Sequence, residues 1–476
     1  MGEPVPGDHV IVLFGATGDL AARKLLPGFF ELTQAGLMPR DFRVIGTAPV
    51  EMSDDDFVAH VRDVVGKFGR VPATGEAWDT FIGRVGYVAS SADDARDLAK
   101  AVEAAAGELG AGAEVLLYLS IPPAAMDEIV GAIGDAGLGA RGAKVILEKP
   151  FGTDVDSAKA LNARLHSVFA EEQIFRIDHF LGKEDVQDIL AFRFANRLFE
   201  PIWSAEHVAE IQIDVPETLG VENRAKFYDA TGAFRDMVVT HLFQALGFVT
   251  MEPPAAFSAD ALATEKQRAF GALQPLDPAK VVRGQYDGYR ALPDVPDDSD
   301  TETMVAVEAR IDNARWDGVP IHLRTGKRLP VGARVITLNL RKPPLDMFPT
   351  GATCHGNRLV FEIGEPGSIR IDFQAKEPGP AMTLGGAHMD FVYKSSFDPR
   401  RELEAYERLL HDAMLGDRTL FTRAEGIERL WEVAAPLLAA PPPVQPYAQG
   451  TWGPAAADAL VAPQAWQLTE ATAARA

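Results

Sequence analysis

Val10-Ile11-Val12-Leu13-Phe14 runs directly into Gly15-Ala16-Thr17-Gly18-Asp19-Leu20-Ala21-Ala22. A buried strand that breaks at glycines and turns into a helix is how a chain holds a dinucleotide pyrophosphate. Gly15 permits the tight turn, and Gly18 lets the backbone come close to a phosphate. The start of the following helix offers free N–H groups and its positive dipole end to the negative charge. The spacing is G-x-x-G-x-x-A and departs from G-x-G-x-x-G, so a plain strand–turn–helix corner explains these residues equally well. The rest of the chain decides between the two.

Outward from this corner, the first third alternates strand and helix. Strand-like runs at Val10–Phe14, Arg43–Thr47, Val85–Ala89, Val115–Leu119 and Lys144–Leu147 are separated by helical stretches at Ala21–Ala35, Asp54–Phe68, Ala92–Leu109 and Pro123–Ala136. That alternation predicts a doubly wound parallel sheet with helices on both faces. Beyond about residue 205 the pattern changes. Val208–Val215, Thr303–Ile311, Pro320–Thr325, Val335–Leu340, Leu359–Ile363 and Ser368–Phe373 have strand character, with turns such as Trp316-Asp317-Gly318 and Glu365-Pro366-Gly367 between some of them. Short connections between consecutive strands predict an antiparallel meander in a second, α+β domain. Leu292–Thr303 is acidic and reads as a solvated loop, while Pro441–Pro446 reads by composition as a linker or disorder.

The 476 residues have room for two or three domains, and 47% hydrophobic with 24% charged residues is a globular composition. A net charge of −22 argues against nucleic acid and anionic membrane as partners, because both require a basic face. A phosphorylated substrate needs a locally positive pocket against that background. No apolar stretch reaches the ~20 residues of a membrane span, and the acidic Met1-Gly2-Glu3-Pro4 start does not read as a secretory signal. Cys354 is the single cysteine, so internal disulfides are ruled out and a reducing, cytoplasmic compartment is expected. Neither zinc nor EF-hand ligand spacing is present, so no metal is expected, and G-x-S-x-G and Walker A motifs are absent.

Three further stretches carry chemistry. In Arg176-Ile177-Asp178-His179-Phe180-Leu181-Gly182-Lys183-Glu184, a helix is predicted over Glu184–Asn196 with Asp178 as its cap. His179 and Lys183, four apart, would then share a face suited to phosphate, although solvated side chains on a capped helix explain the same residues. In Gly232–Phe248, residues Phe234, Val238, His241, Leu242 and Ala245 form one helical stripe, which points His241 into packed protein. It is either an ordinary core histidine or a base, and the second reading requires a carboxylate such as Asp178 on its ring. Lys149 lies at the carboxyl end of a predicted parallel strand, where open α/β sheets bind ligands, although a surface lysine in a strand-exit turn explains it equally well. Pro150 restricts its geometry and admits a cis bond.

In this order and at these separations, the stretches resemble the glucose-6-phosphate dehydrogenase family. The likeness rests on GATGDLA (Gly15–Ala21), EKPFG (Glu148–Gly152), RIDHFLGKE (Arg176–Glu184) and RDMVVTHLFQ (Arg235–Gln244). It continues through VPIHLRTGK (Val319–Lys327) and YERLLHDAMLGDRTLF (Tyr406–Phe421) to the tail at Tyr447–Pro454, which argues against a disordered C-terminus. The resemblance implies a Rossmann-like dinucleotide-binding domain over 1–177. A larger substrate-binding and oligomerisation domain with a mainly antiparallel sheet would cover 178–476, and the protein would form a homodimer or homotetramer. It implies oxidation of glucose 6-phosphate at C1 to 6-phosphogluconolactone with NADP or NAD as hydride acceptor, the first step of the oxidative pentose phosphate pathway.

By the same resemblance, His241 is the base and Asp178 orients it; His179 and Lys183 hold the phosphate. Lys149 lies near both sugar and nicotinamide, Glu217, Asp236 and Lys327 contact the sugar, and Tyr118 stands on the cofactor side. Two positions depart from the pattern. Pro49 stands where many relatives carry an arginine for the 2′-phosphate of NADP, leaving Arg23 and Lys24 as nearby cations. Gly332 stands near a usual basic position, with Arg328 and Arg334 as candidate substitutes. The alternatives are a dehydrogenase of another sugar or sugar phosphate, and a catalytically silent sugar-phosphate-binding paralogue.

Overall fold

Six apolar runs form the first sheet: β1 (His9–Phe14), β2 (Phe42–Thr47), β3 (Val85–Tyr87), β4 (Glu114–Leu119), β5 (Lys144–Glu148) and β6 (Ile174–Ile177). The computed structural model describes residues 4–469 apart from 141, 346, 349–355, 365, 366 and 398–402, so Cys354 and the Glu365-Pro366 half of one expected turn lie outside the described residues. The strand order is β3-β2-β1-β4-β5-β6, with every neighbour parallel. All of β1 is buried, as expected for a sheet covered on both faces. β6 was hidden in the sequence by Arg176, a charge in the middle of the strand. Its guanidinium is fully buried and bonded to Glu171 (2.8 Å) and Asn162 (2.9 Å).

The strand order reverses between β1 and β4, and ligands bind at such a switch point. There Gly15 adopts φ +70°, and a Cβ on it would stand 2.0 Å from the carbonyl oxygen of Ser120. Only glycine fits that turn. The expected helix at Ala21–Ala35 opens with a π-helical turn, Ala21–Leu25, before the α-helix Leu26–Gln34. Helix Asp54–Phe68 forms as expected, capped by Ser53. Two others start later than expected, at Arg96 and Met126.

The second sheet contains β7 (Val208–Pro216), β8 (Val281–Tyr286), β9 (Met304–Ala309), β10 (Ile321–Gly326), β11 (Val335–Leu340), β12 (Arg358–Glu362), β13 (Ser368–Lys376), β14 (Leu384–Val392) and β15 (Val444–Tyr447). Its order is β14-β13-β12-β11-β7-β10-β9-β8-β15. The expected meander is real from β11 to β14, yet β7 pairs parallel with β10, and β8 with β15, so the sheet is mixed and mostly antiparallel. The chain leaves β7 through a group of helices before it returns, and such a crossover allows a parallel partner. The proline-rich tail supplies β15, with Pro446 tolerated because the strand lies at the sheet edge. Farther on, Trp452 and Trp466 flank the buried Arg324 guanidinium at 4.3 and 4.2 Å, and Arg324 pairs with Asp214. The compositional reading of this tail as disordered is therefore corrected.

The loop Leu292–Thr303 is only partly solvated, because Ser299, Glu302 and Thr303 are buried. Glu302 accepts the Phe234 N–H (3.0 Å) and pairs with Arg283 (2.9 Å), so this loop braces a helix that carries site residues. Among the described residues no helix is long and apolar enough to cross a membrane.

Candidate active site

The ends of β5 and β6 deliver Lys149 and Asp178 to the same rim of the first sheet, and a helix from the second domain meets them there. That helix, Phe234–Leu242, is π-helical and follows a kink at Gly232, whose φ is +73°. A Cβ at Gly232 would stand 2.4 Å from the Glu302 carboxylate that receives the Phe234 N–H. Glycine is thus required where the helix is capped by a side chain from the acidic loop. A wider helical turn at a functional residue is a recurrent use of π geometry.

Nδ1 of His241 lies 2.6 Å from Oδ1 of Asp178, and Nε2 lies 2.7 Å from Nζ of Lys149. A carboxylate only accepts and an ammonium only donates, so the ring carries its proton on Nδ1 and a lone pair on Nε2. Lys149 also reaches Oδ1 of Asp236 at 3.0 Å. Phe180 stacks on the imidazole (4.5 Å between centroids, 18° between planes), and His179 meets it edge-on at 4.9 Å. The Lys149–Pro150 bond is cis.

Two expectations about the 178–183 segment change. Asp178 does not cap the downstream helix, Glu184–Phe194, whose N-cap position is Lys183. Its Oδ1 instead accepts the Phe180 N–H (2.9 Å) as well as the histidine. Residues 178–183 form a tight turn, with Leu181 N–H on the Asp178 carbonyl and Lys183 N–H on that of Phe180, so His179 and Lys183 do not share a helical face. They remain neighbours through Phe180, since the Lys183 ammonium lies 5.3 Å from that ring. Of the two substitutes considered near Gly332, Arg334 also approaches Phe180, at 5.9 Å, while Arg328 is drawn away to Glu222.

Burial lowers the proton affinity of His241, and the Lys149 cation lowers it further against the opposing pull of Asp178. Burial pushes Asp178 upward, but His241 and His179 together with the Phe180 N–H outweigh it and keep the carboxylate below its ordinary range. His179 is pushed down to about 3 by burial and by the charge of its neighbours. Both rings are therefore neutral near pH 7.

Glu217 and Lys327 follow the ends of the parallel strands β7 and β10 and form an ion pair with each other. The Lys327 charge reaches Asp236, which links this pair to Lys149. On the dinucleotide side, Gly15 to Gly18 form the turn, Asp19 and Leu20 open the helix, and Ala21 and Ala22 lie in its first π turn, with Ala16 and Ala21 buried. The left-handed Gly15, with no room for a Cβ, fits a cradle for a pyrophosphate. Tyr118 is fully buried and donates to Glu148 at 2.5 Å.

Sequence reasoning assigned no role to Phe180, Glu148 or Tyr406. Tyr406 stacks parallel to His179 at 6.1 Å and bonds Glu148, which burial lifts to about 7. For Glu148, a carboxylate directly after the buried apolar run Val145–Leu147 was the available signal. Asp178, His179 and His241 also offer ligand atoms within 4.8 Å of one another. However, both His241 nitrogens already face partners, one of them a cation, so the cluster does not suit a metal.

A glycine turn at the switch point of a doubly wound sheet, beside a buried histidine–carboxylate pair, defines a nicotinamide dinucleotide-dependent oxidoreductase. Family profiles described as "Glucose-6-phosphate dehydrogenase, NAD binding domain" and "Glucose-6-phosphate dehydrogenase, C-terminal domain" match residues 12–188 and 190–468. The chain belongs to the glucose-6-phosphate dehydrogenase family.

Glucose-6-phosphate 1-dehydrogenase 1 of Mycobacterium tuberculosis (strain CDC 1551 / Oshkosh) is 39% identical over 453 residues, covering 95% of this chain and 94% of that protein. The Treponema pallidum (strain Nichols) glucose-6-phosphate 1-dehydrogenase is 37% identical over 488 residues, covering 97% and 95%. A crystal structure of the Mycobacterium avium enzyme superposes with TM-score 0.87 at 38% identity, covering 98% of this chain and 99% of that one. A glucose-6-phosphate dehydrogenase in complex with its substrate glucose-6-phosphate superposes with TM-score 0.90 at 31% identity, covering 99% and 100%.

Proposed function

We propose that this protein oxidises glucose 6-phosphate at C1 to 6-phosphogluconolactone, with His241 as the general base. The observation that carries this reading is the chain Asp178–His241–Lys149, which fixes the tautomer and presents the Nε2 lone pair. A C1 hydroxyl that takes the place of the ammonium at Nε2 meets that lone pair and gives up its proton. The buried Asp178 carboxylate then balances the imidazolium. A bound nicotinamide supplies the acceptor for the hydride from C1. Lys149, released from His241, remains paired with Asp236 beside the sugar.

His179, Lys183 and Arg334, gathered around Phe180 and His241, are assigned to the phosphate. His179 acts there as a neutral donor, because burial and the positive charges around it keep it unprotonated. Glu217, Lys327 and Asp236 are assigned to the sugar hydroxyls. The division into a dinucleotide domain through Ile177 and a substrate domain from Asp178 follows the end of β6.

On the cofactor, we assign relaxed selectivity between NADP and NAD. Pro49 brings neither charge nor donor, and both nearby cations are engaged, Arg23 with Asp19 at 2.6 Å and Lys24 with Glu404. A homodimer or homotetramer built on the second sheet fits β14, which ends that sheet with no further strand beside it among the described residues and carries the exposed Met389. A cytoplasmic location fits the single cysteine.

The test is kcat/KM for glucose 6-phosphate against free glucose with either dinucleotide. Strong preference for the phosphorylated sugar is expected. Equal efficiency would remove the phosphate assignment, and binding without nicotinamide reduction would favour a silent paralogue.

A further inference from the structure

The oxygen of Asp178 that faces away from the histidine, Oδ2, is buried and takes no hydrogen bond from any described side chain or backbone group. Asp178 borders an internal cavity of about 10 Å³, open to a water's centre, that Thr240, Gln244 and Thr422 also line. Gln244 and Thr422 line a second cavity as well, of about 20 Å³, whose far side is formed by Lys266, Phe270 and Arg423. Oε1 of Gln244 is a second buried acceptor with no partner among the described groups. Each space is about the size of one water; the first is walled mainly by the apolar Phe151, Ile427, Leu430 and Trp431, and the second by polar and apolar side chains together. Asp178 and Lys266 therefore border two small cavities that share Gln244 and Thr422 as walls, in a poorly solvated region where a charge is weakly screened.

Lys266, on the helix Ala259–Ala272, is 6% exposed, and its ammonium rests near the rings of Phe248 (4.9 Å) and Phe270 (5.9 Å). Burial lowers it to about 8, and Asp178 is the acid whose field supports its charge. The other charged groups around this region are engaged elsewhere. Arg423 pairs with Asp260, Glu265 with Arg268 at 2.6 Å, and Lys149 with Asp236 and His241. His179, Glu148 and Tyr406 are the other titratable groups that sense Asp178.

We propose that Lys266 is a positioning residue for the His241–Asp178 pair, its buried charge acting across Gln244 and the two small cavities to lower the proton affinity of the pair. The inference rests on His241 being the base. A positive charge nearby lowers the proton affinity of the pair, so its removal must raise it.

The test is the acid limb of kcat/KM against pH in the full-length protein, for Lys266→Met, Lys266→Gln and Lys266→Arg, with folding checked by thermal unfolding. The neutral variants are expected to move the limb up by about half a pH unit or more, the size of a unit charge acting at a few water diameters, while arginine leaves it in place. A side chain that serves packing alone would change the unfolding temperature and not the limb. A limb unmoved in the neutral variants, or moved equally by arginine, overturns the proposal. Should neither neutral variant fold, Gln244→Met is read the same way, with an upward shift expected and an unmoved limb overturning the proposal. His241→Asn run alongside separates the two claims: full turnover there refutes the base assignment, whereas its loss with an unmoved Lys266 limb refutes Lys266 alone.

Discussion

Replacing Asp178 by asparagine keeps the shape and one acceptor oxygen and removes the charge. With Nδ1 and Oδ1 at 2.6 Å, the charge centres of an imidazolium and the carboxylate stand about 4 Å apart. At an effective dielectric of about 20 their attraction is about 4 kcal/mol. The substrate-bound enzyme does not use this attraction until His241 takes the proton, so its loss falls mainly on the transition state. The amide dipole retains part of it, and a loss of about 2 to 4 kcal/mol corresponds to about a 30- to 1,000-fold fall in kcat. The pH profile gives a second, independent sign. Burial and Lys149 lower the His241 pKa, and Asp178 is the stronger of the two carboxylates that raise it, so the Asp178→Asn acid limb moves to lower pH while the maximum falls. The assay is initial-rate nicotinamide reduction at 340 nm over about pH 5 to 9, with saturating glucose 6-phosphate for kcat and limiting substrate for kcat/KM. A kcat within about threefold of the parent, or a limb that moves upward, would refute the electrostatic role.

Lys183→Ala should raise the KM for glucose 6-phosphate by about 10- to 100-fold, the worth of one charge-assisted hydrogen bond, with kcat little changed; a fall confined to kcat would place Lys183 elsewhere. Gly15→Ala meets both a positive φ and the Ser120 carbonyl at 2.0 Å, so it should weaken dinucleotide binding and lower Tm together. A calorimetric Kd and a Tm both equal to the parent's would show that the turn yields without cost. Pro49→Arg should raise kcat/KM for NADP relative to NAD by about tenfold or more. A strong NADP preference already present in the parent would show that Arg23 or Lys24 leaves its carboxylate to bind the 2′-phosphate.

The first domain was legible because its order is local. The central strands β1, β4 and β5 carry short apolar runs that are buried, and the glycine turn marks where the sheet reverses. β6 escaped because Arg176 looks like a surface residue until Asn162 and Glu171 are known to surround it. The second sheet was legible strand by strand but not in its pairing, since the parallel partnership of β7 and β10 depends on the helices between them and not on either strand. β8 and β14 were missed because Arg283 and Gly284 in one, and Gly385 and Gly386 in the other, dilute the strand signal.

In the site, the helical stripe predicted that His241 is buried, and the resemblance supplied its role. The 178–183 turn could not be read, because His179 and Lys183 at a spacing of four imitate a helical face. Phe180 and Tyr406 carry no sequence mark of function at all; their part is geometric, one stacked on His241 and the other on His179.

The Nε2 lone pair of His241 is assigned the removal of the C1 hydroxyl proton. The most direct measurement is kcat for His241→Asn beside the equilibrium Kd for glucose 6-phosphate in the same protein. A fall in kcat of about a hundredfold or more, the contribution of a general base, is expected, with Kd changed only slightly. Turnover close to the parent's, in a variant that still binds the sugar phosphate, would contradict it and return His241 to the protein core.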